Sequence, residues 1–384
     1  MPNPNDTLLA SGRRTTPPFR ADHVGSLLRP RRLLDAREDL AKGSITEHEL
    51  RTIEDEEIAK LVGMQRDVGL QSATDGELRR GSWHMDFIYQ LGGIEKIQGD
   101  IEVHFRNADG TVDFKPAAIA VNEKVKLDHT IFEQDFQFLQ GVVGEGVTPK
   151  LTIPSPNMVH YRSGRAALNP DVYPDIEPFW ADLQAAYAQQ IAALAALGCE
   201  YLQLDDTSLA YLNDPAQRAY LSDRGEDTGH LHETYVRNIN NALAGRPEGL
   251  TITTHLCRGN FRSSWAAEGG YEYVAETLFG QLDVDGFFLE YDDERSGGFE
   301  PLRFVPPGKL VVLGLVTTKR PQLESKDDLR RRIEEASQYV PMEQLCLSPQ
   351  CGFSSTLEGN ALTYDEQKAK LELVVETAAA VWGS

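Results

Sequence analysis

Strand-like apolar runs alternate with helical patterns along most of this 384-residue chain, and that alternation narrows the folds open to it. The runs fall at 19–24 (FRADHV), 70–75 (LQSATD), 149–153 (PKLTI), 201–205 (YLQLD), 250–257 (LTITTHLC), 284–290 (VDGFFLE), 309–316 (KLVVLGLV) and 344–348 (QLCLS). Several are almost continuously apolar, as a strand covered on both faces must be. Helical patterns fill the intervals. Residues 44–67 open on Ser44 with Glu47 three places on, the spacing of a capping box, and carry Leu50, Ile53, Ile58, Leu61 and Met64 on one side. Residues 177–197 stop at Gly198, and further helices are predicted over 228–244, 264–278, 326–338 and 364–382. Eight strand–helix units predict an α/β fold, a parallel sheet closed into a single (β/α)8 TIM barrel. An open doubly wound sheet is the weaker alternative, because no glycine-rich phosphate loop follows the first run.

Residues 93–147 break the rhythm. Alternating segments (IEVHF, TVDFK, AAIAVNEKVKL) around a turn at 107–110 predict a β-hairpin inserted between the second and third barrel strands, on or beside the active face. No repeat or linker divides the rest, so residues 19–384 are read as one domain. Residues 1–18, rich in Pro, Asn, Thr and Arg, read as a disordered tail without the apolar stretch of a secretory signal. A formal net charge of −21 argues against nucleic-acid or anionic-membrane partners, and no apolar run is long enough to span a bilayer. Four cysteines in so long a chain are not a disulfide framework, and a reducing, cytoplasmic setting is expected. A homo-oligomer is compatible with all of this. Cys199 and Cys346 lie in apolar contexts and read as core residues.

The other two cysteines are placed differently. His255 and Cys257 are two apart on one run, so period-two alternation points both to the same side. Glu290 ends VDGFFLE, and a carboxylate there must be paired, protonated or bound to a cation. Cys351 lies in PQCGF just beyond the last run, before a glycine that permits close approach. Each has a plainer explanation: a core His beside a core Cys, a salt bridge from Glu290 to Arg258, Arg262 or Arg295, and a small buried thiol. All four fall at the carboxyl ends of strands, however, where barrels carry their active sites. One imidazole, two thiolates and a carboxylate form a four-coordinate set suited to Zn²⁺ rather than to Mg²⁺ or Ca²⁺.

Asp205 and Asp206 end the fourth run, and Asp75 and Glu77 follow the second. These pairs either capture a cationic group or move protons, or they cap helices and pair with Arg79 and Arg80. Gly25 and Ser26 follow the first run, in a turn whose amides could hold a carboxylate.

Together THLCRGNFRS, GFFLEYDDERSG and LCLSPQCGF, with TDGELRRGSWHMDF and YLQLDDTSLAYL, resemble the zinc-binding barrel of the cobalamin-independent methionine synthase family, in particular its short single-barrel members. The resemblance covers residues from about 19 to 382. It implies a methyltransferase that makes methionine from homocysteine. It also implies zinc on His255, Cys257, Glu290 and Cys351, the homocysteine carboxylate on Gly25 and Ser26, and its amino group on Glu77 and Asp205. The donor side departs from the pattern. Thr317 and Lys319 stand where the family's full-length enzymes carry an Asp-x-His proton donor, His160 stands for a folate-stacking tryptophan, and Tyr211 stands for an acidic folate-binding residue. Methyltetrahydrofolate and another methyl donor are both left open, with His84, Asp206 and Lys319 as candidates to protonate a leaving nitrogen. The alternatives are a zinc-dependent alkyltransferase for another small thiol or alkyl donor, and a non-enzymatic zinc-stabilised ligand-binding barrel.

Overall fold

A computed structural model of the chain describes residues 12–98, 103–107, 110–114, 118–161 and 163–383. Its strands in chain order are β1 (Ser72–Ala73), β2 (Gly92–Ile97), β3 (Val103–Asn107), β4 (Gly110–Phe114), β5 (Ala118–Lys126), β6 (Thr148–Pro154), β7 (Tyr201–Asp206), β8 (Thr251–Leu256), β9 (Gly286–Glu290), β10 (Leu310–Val316) and β11 (Leu345–Pro349). Among the described residues β1, β6, β7, β8, β9, β10 and β11 form one parallel, curled sheet in that order. This is the expected barrel with one difference. The run at 19–24 makes a single parallel bridge, Ala21 to Leu347 of β11, with the Asp22 amide 3.0 Å from Leu347 O and the Leu347 amide 2.8 Å from Arg20 O. The Asp22 carboxylate takes the amides of Phe19 and His23, at 3.1 and 2.8 Å, so those two groups are not available to a ladder. Side chains complete the join to β1: Ser72 Oγ donates to Asp22 Oδ1 at 3.2 Å and Thr74 Oγ1 donates to Gly25 O at 2.6 Å.

Helices cover the sheet at Glu47–Asp67, Glu177–Ala196, Leu231–Leu243, Lys326–Ala336 and Tyr364–Trp382. Two expectations change. The capping box of the first belongs to Thr46 and Glu49, not Ser44 and Glu47: the Glu49 amide donates to Thr46 Oγ1 at 3.2 Å and the Thr46 amide to Glu49 Oε2 at 2.8 Å. The helix expected over 264–278 is confined to Ala275–Gln281. Upstream, the amides of Ala266 and Ala267 turn back onto Arg258 O, which commits that stretch to a loop over the barrel mouth.

The predicted insertion is present. β3 and β4 pair antiparallel from Val103–Phe114 to Asn107–Gly110, and β2 pairs antiparallel with β5. Its far end docks back on the barrel through Arg106 and Trp265, which exchange backbone hydrogen bonds at 2.7 and 2.9 Å. Residues 1–11 of the expected tail lie outside the described residues. Residues 12–18 are tied to the barrel floor: Gln71 Nε2 donates to Arg14 O at 2.9 Å and Arg20 Nε to Gly12 O at 3.2 Å. Among the described residues no helix is long and apolar enough to cross a membrane.

Alternation along the strands turns Lys150, Tyr201, Phe288, Val312 and Cys346 toward the barrel axis, where the last four pack with Val24. Lys150 is fully buried there, above the rings of Tyr201 and Phe288 at 4.8 and 4.1 Å and 3.3 Å from Asp22 Oδ1. Tyr201 Oη donates to the same carboxylate at 2.9 Å. Burial pulls the Lys150 ammonium down from its ordinary value and Asp22 pulls it back. Asp22→Asn therefore strands a buried cation and is expected to cost about 3–5 kcal/mol in urea unfolding. Adding Lys150→Met should recover most of that loss; equal destabilisation of the single and double variants would show that the pair is not the cause.

Candidate active site

The site stands on strand register. β7 and β8 run in step with Asp205 opposite His255, and β9 meets β10 with Glu290 opposite Gly314. Asp205, His255 and Glu290 sit at the carboxyl ends of adjacent strands, in step with the inward set below them. Cys257 lies two residues beyond His255, its amide held by Asp206 O at 2.9 Å. Cys351 enters from the loop after β11. Glycine at 352 permits this, because a Cβ there would sit 1.9 Å from Ser26 Oγ. The Phe353 amide then bonds Ser26 O at 2.9 Å, so the Gly25–Ser26 turn is fastened against the Cys351 loop.

His255, Cys257, Glu290 and Cys351 are all buried, and their ligand atoms lie within 4.8 Å of one another. The two sulfurs are 3.4 Å apart. Tetrahedral zinc with Zn–S bonds of about 2.3 Å needs two sulfurs about 3.8 Å apart, so a small outward shift fits the ion. Neither ring nitrogen of His255 makes a hydrogen bond of good geometry, and the polar group beside it is the Cys351 sulfur of the same cluster, an expensive arrangement for a buried imidazole unless something else is coordinated. The donor set therefore fits zinc. The Cys257 thiol donates toward Cys351, which holds the Cys351 sulfur well below and the Cys257 sulfur well above the ordinary thiol range. Burial lowers His255, but the Cys351 sulfur, Asp205 and Glu290 outweigh it and the net shift is upward. Cys199 is pushed up to about 12 by burial and Cys346 is also raised by burial, as core thiols should be.

Glu290 has the salt bridge that the sequence left open as well as its place among the ligands. Its Oε1 accepts the Arg258 amide at 3.0 Å and its Oε2 lies 3.2 Å from Arg295. Arg295 also holds Asp292 at 2.9 Å, and Lys319 pairs with Asp292 at 3.4 Å. Lys319 is thus committed beside Glu290 and does not line the cavity. Asp206 does not line it either. Its carboxylate accepts from Ser155, Asn157, Ser208 and the Leu209 amide, so it is the cap that the plainer reading allowed. Asp75 behaves likewise, accepting the Glu77 amide at 2.8 Å. His160 is buried against Trp180 with Nδ1 3.1 Å from Tyr235 Oη.

Glu77, Asp205, Ser26 and His84 share one cavity with His255, Cys257 and Cys351. Glu77 holds a left-handed backbone at φ 58°, a strained conformation for a non-glycine residue. Its Oε1 accepts Thr152 Oγ1 at 2.8 Å, while Oε2 is buried without a partner. Gly25, at φ 140°, must be glycine, since a Cβ would fall 2.7 Å from Thr152 Cγ2. Phe105, Trp83 and Phe261 line the cavity too. No spacing rule singled them out, although Phe261 follows the HLC run by only four residues.

Burial first, and Glu77 second, push Asp205 up to about 7, and burial raises Glu77 as well. A carboxyl whose folded pKa exceeds its unfolded value stabilises the fold at low pH and loses that contribution as pH rises through the folded value. In zinc-free protein Asp205→Asn is thus expected to gain stability over the wild type between pH 5 and pH 8, read from urea midpoints. A difference independent of pH would contradict the assignment.

Comparison with known proteins agrees with this geometry. Residues 163–380 match the family model described as the catalytic domain of cobalamin-independent synthase. The uncharacterized protein YxjG of Bacillus subtilis is 48% identical over 96% of this chain and 96% of its own. The crystal structure of a putative vitamin-B12-independent methionine synthase from Listeria monocytogenes superposes with TM-score 0.78 at 41% identity, covering 96% of this chain and 99% of that one. A B12-independent methionine synthase from Shewanella sp. W3-18-1 shares the fold at TM-score 0.68 and 17% identity, over 94% of this chain and 97% of that one. With the family model matching over half its length and these relatives spanning nearly all of it, the chain belongs to the cobalamin-independent methionine synthase family.

Proposed function

We propose that this chain, with residues 19–384 as its one catalytic domain, is a zinc-dependent methyltransferase that transfers a methyl group to the thiol of homocysteine and so makes methionine. The observation that carries the reading is the meeting of His255, Cys257, Glu290 and Cys351 within 4.8 Å, from widely separated points of the chain. Bound there, zinc supplies a thiol held as thiolate at neutral pH. Everything else is the work of the chain's own groups. The unpartnered Glu77 Oε2 and the Asp205 carboxylate take the substrate ammonium, and the Gly25–Ser26 turn takes its carboxylate. That clamp aims the sulfur toward Cys257 and Cys351. Arg295 and the Arg258 amide keep both Glu290 oxygens partnered, so the carboxylate is stabilised whether or not it also touches an ion. The Shewanella relative was solved in complex with selenomethionine, a molecule of the product's shape, which supports an amino-acid site in this fold.

Two carboxylates facing the sulfur end of the cavity favour a thiol with an amino group over one without. Of the three candidate proton carriers, His84 alone lines the cavity, with Nδ1 3.1 Å from Ser82 Oγ.

Cys351→Ser is expected to lose bound zinc, by metal analysis, together with methylation of homocysteine. Full activity in a zinc-free variant would refute the reading. In cobalt-substituted protein, added homocysteine should produce a new sulfur-to-metal absorption band. An unchanged spectrum would mark a closed structural site and favour a non-enzymatic barrel. Glu77→Ala is expected to raise the KM for homocysteine about tenfold or more, the value of a hydrogen bond to a charged group. It should leave the KM of a thiol lacking an amino group unchanged; equal effects on both would remove Glu77 from the ammonium clamp.

A further inference from the structure

The geometry points to a donor subsite built for a compact onium methyl donor, a methylsulfonium ahead of a methylammonium, rather than for a polyanionic folate. This deepens the methyl-transfer reading and rests on it.

Trp83, Phe105, Tyr211 and Phe261 line the same cavity as Cys257 and Cys351. They arrive from four separate places: the segment after β1, the inserted hairpin, the short helix after β7 and the loop after β8. The Phe105 and Phe261 rings lie 5.4 Å apart at 49°, and Trp83 lies on His84 at 4.3 Å. Gly259 lets these elements close together. A Cβ at 259 would sit 2.6 Å from Tyr211 Oη and 3.0 Å from Phe105 Cε1, and its backbone is left-handed at φ 90°. The paired backbones of Arg106 and Trp265 pin Phe105 in place. The hairpin is therefore a fixed aromatic wall of the cavity.

Charge points the same way. The described lining includes the carboxylates of Glu77 and Asp205 and no lysine or arginine. Among the described cations behind the lining, Arg80 pairs with Glu77 itself, Lys319 with Asp292, and Arg295 with Glu290 and Asp292. Aromatic faces attract a cation, and a lining whose two carboxylates belong to the homocysteine ammonium and whose described residues include no lysine or arginine offers no partner to a donor that carries several carboxylates. The leaving group agrees as well. A methylamine must be protonated to leave; Lys319 and Asp206 are engaged away from the cavity, so of the three candidate carriers only His84 is placed to do it. A methylsulfonium needs no acid. The homocysteine thiolate forms a bond to the methyl carbon, the C–S⁺ bond breaks, and its electron pair returns to the sulfonium sulfur, which leaves as a neutral thioether.

The test is calorimetric titration of wild-type protein, with and without zinc, using trimethylsulfonium, its neutral near-isostere dimethyl sulfoxide, tetramethylammonium and 5-methyltetrahydrofolate. Trimethylsulfonium is expected to bind at least about tenfold more tightly than dimethyl sulfoxide and than the folate, zinc or no zinc. Phe105→Leu, and the half-buried Trp83→Leu should the first fail to fold, are expected to weaken the cation about fivefold and leave dimethyl sulfoxide unchanged. Methionine formation from trimethylsulfonium but not from tetramethylammonium would support the sulfonium. Tighter binding of the folate, or a cation preference untouched by both variants, would overturn the proposal. Homocysteine coordination to cobalt without sulfonium binding defeats this subsite alone. Sulfonium binding without coordination supports the subsite and defeats the methyl-acceptor reading instead.

Discussion

The parallel register of β7, β8, β9, β10 and β11 is the constraint from which the site follows. Slipping β8 by one residue against β7 would turn His255 out of the barrel and bring Leu256 in, since each step reverses the face. The register is held from below by inward residues of fixed size, Tyr201, Phe288, Val312 and Cys346, and by the buried Lys150–Asp22 pair that crosses between β6 and the first extended segment. β10 contributes by omission. Gly314 stands beside Glu290 with no side chain, and a Cβ there would meet Gln350 Cα and Leu289 O, each at 2.7 Å. Glycine at that point lets the chain after β11 fold inward and deliver Cys351. A ladder with a side chain at 314 would keep the four donors apart.

Charge is distributed to match. Two thiols, Glu77 and Asp205 line one cavity, Glu290 lies against the thiols, and burial raises both Asp205 and Glu77. On the Glu290 side Arg295 and Lys319 answer the negative charge from behind. On the Glu77 side Arg80 does so at 3.6 Å, with Arg29 acting from farther off, and one carboxylate oxygen stays unsatisfied. A bound ammonium group would fill that deficit. Lys319 belongs to the same asymmetry: paired with Asp292 beside Glu290, it is a structural counterweight outside the cavity.

The barrel and the four donors were legible because both depend on short-range regularities. Apolar runs and their strand-end residues locate His255, Glu290 and Asp205 to within a residue, and the i, i+2 spacing of His255 and Cys257 carries directly into space. What was not legible depends on loops. The helix expected over 264–278 fails because Arg258 O captures the amides of Ala266 and Ala267, a contact between residues whose local pattern is helical. The capping box slips by two because Ser44–Glu47 and Thr46–Glu49 have the same spacing, which does not distinguish them. Asp206 looked chemical beside Asp205, but alternation sends the two side chains to opposite faces, and the outward one became a cap. Phe105 carries no sign of its role, since a hairpin pattern does not say where the hairpin will dock.

That division between strand ends and loops also accounts for the uneven match to the family pattern. The thiol half is written into the register, so its residues cannot move without turning a whole strand. The facing wall of the cavity is assembled from the inserted hairpin and the segments after β1, β7 and β8, which vary at little cost to the barrel. His160, at the place of a stacking tryptophan, has been absorbed into the packing of Trp180 and Tyr235. Tyr211, at the place of an acidic residue, has become cavity wall. Of the two, only Tyr211 adds aromatic surface to the cavity that holds the sulfurs. On the methyl-transfer reading proposed above, the residues around the sulfurs keep the family pattern while the facing wall of the cavity departs from it.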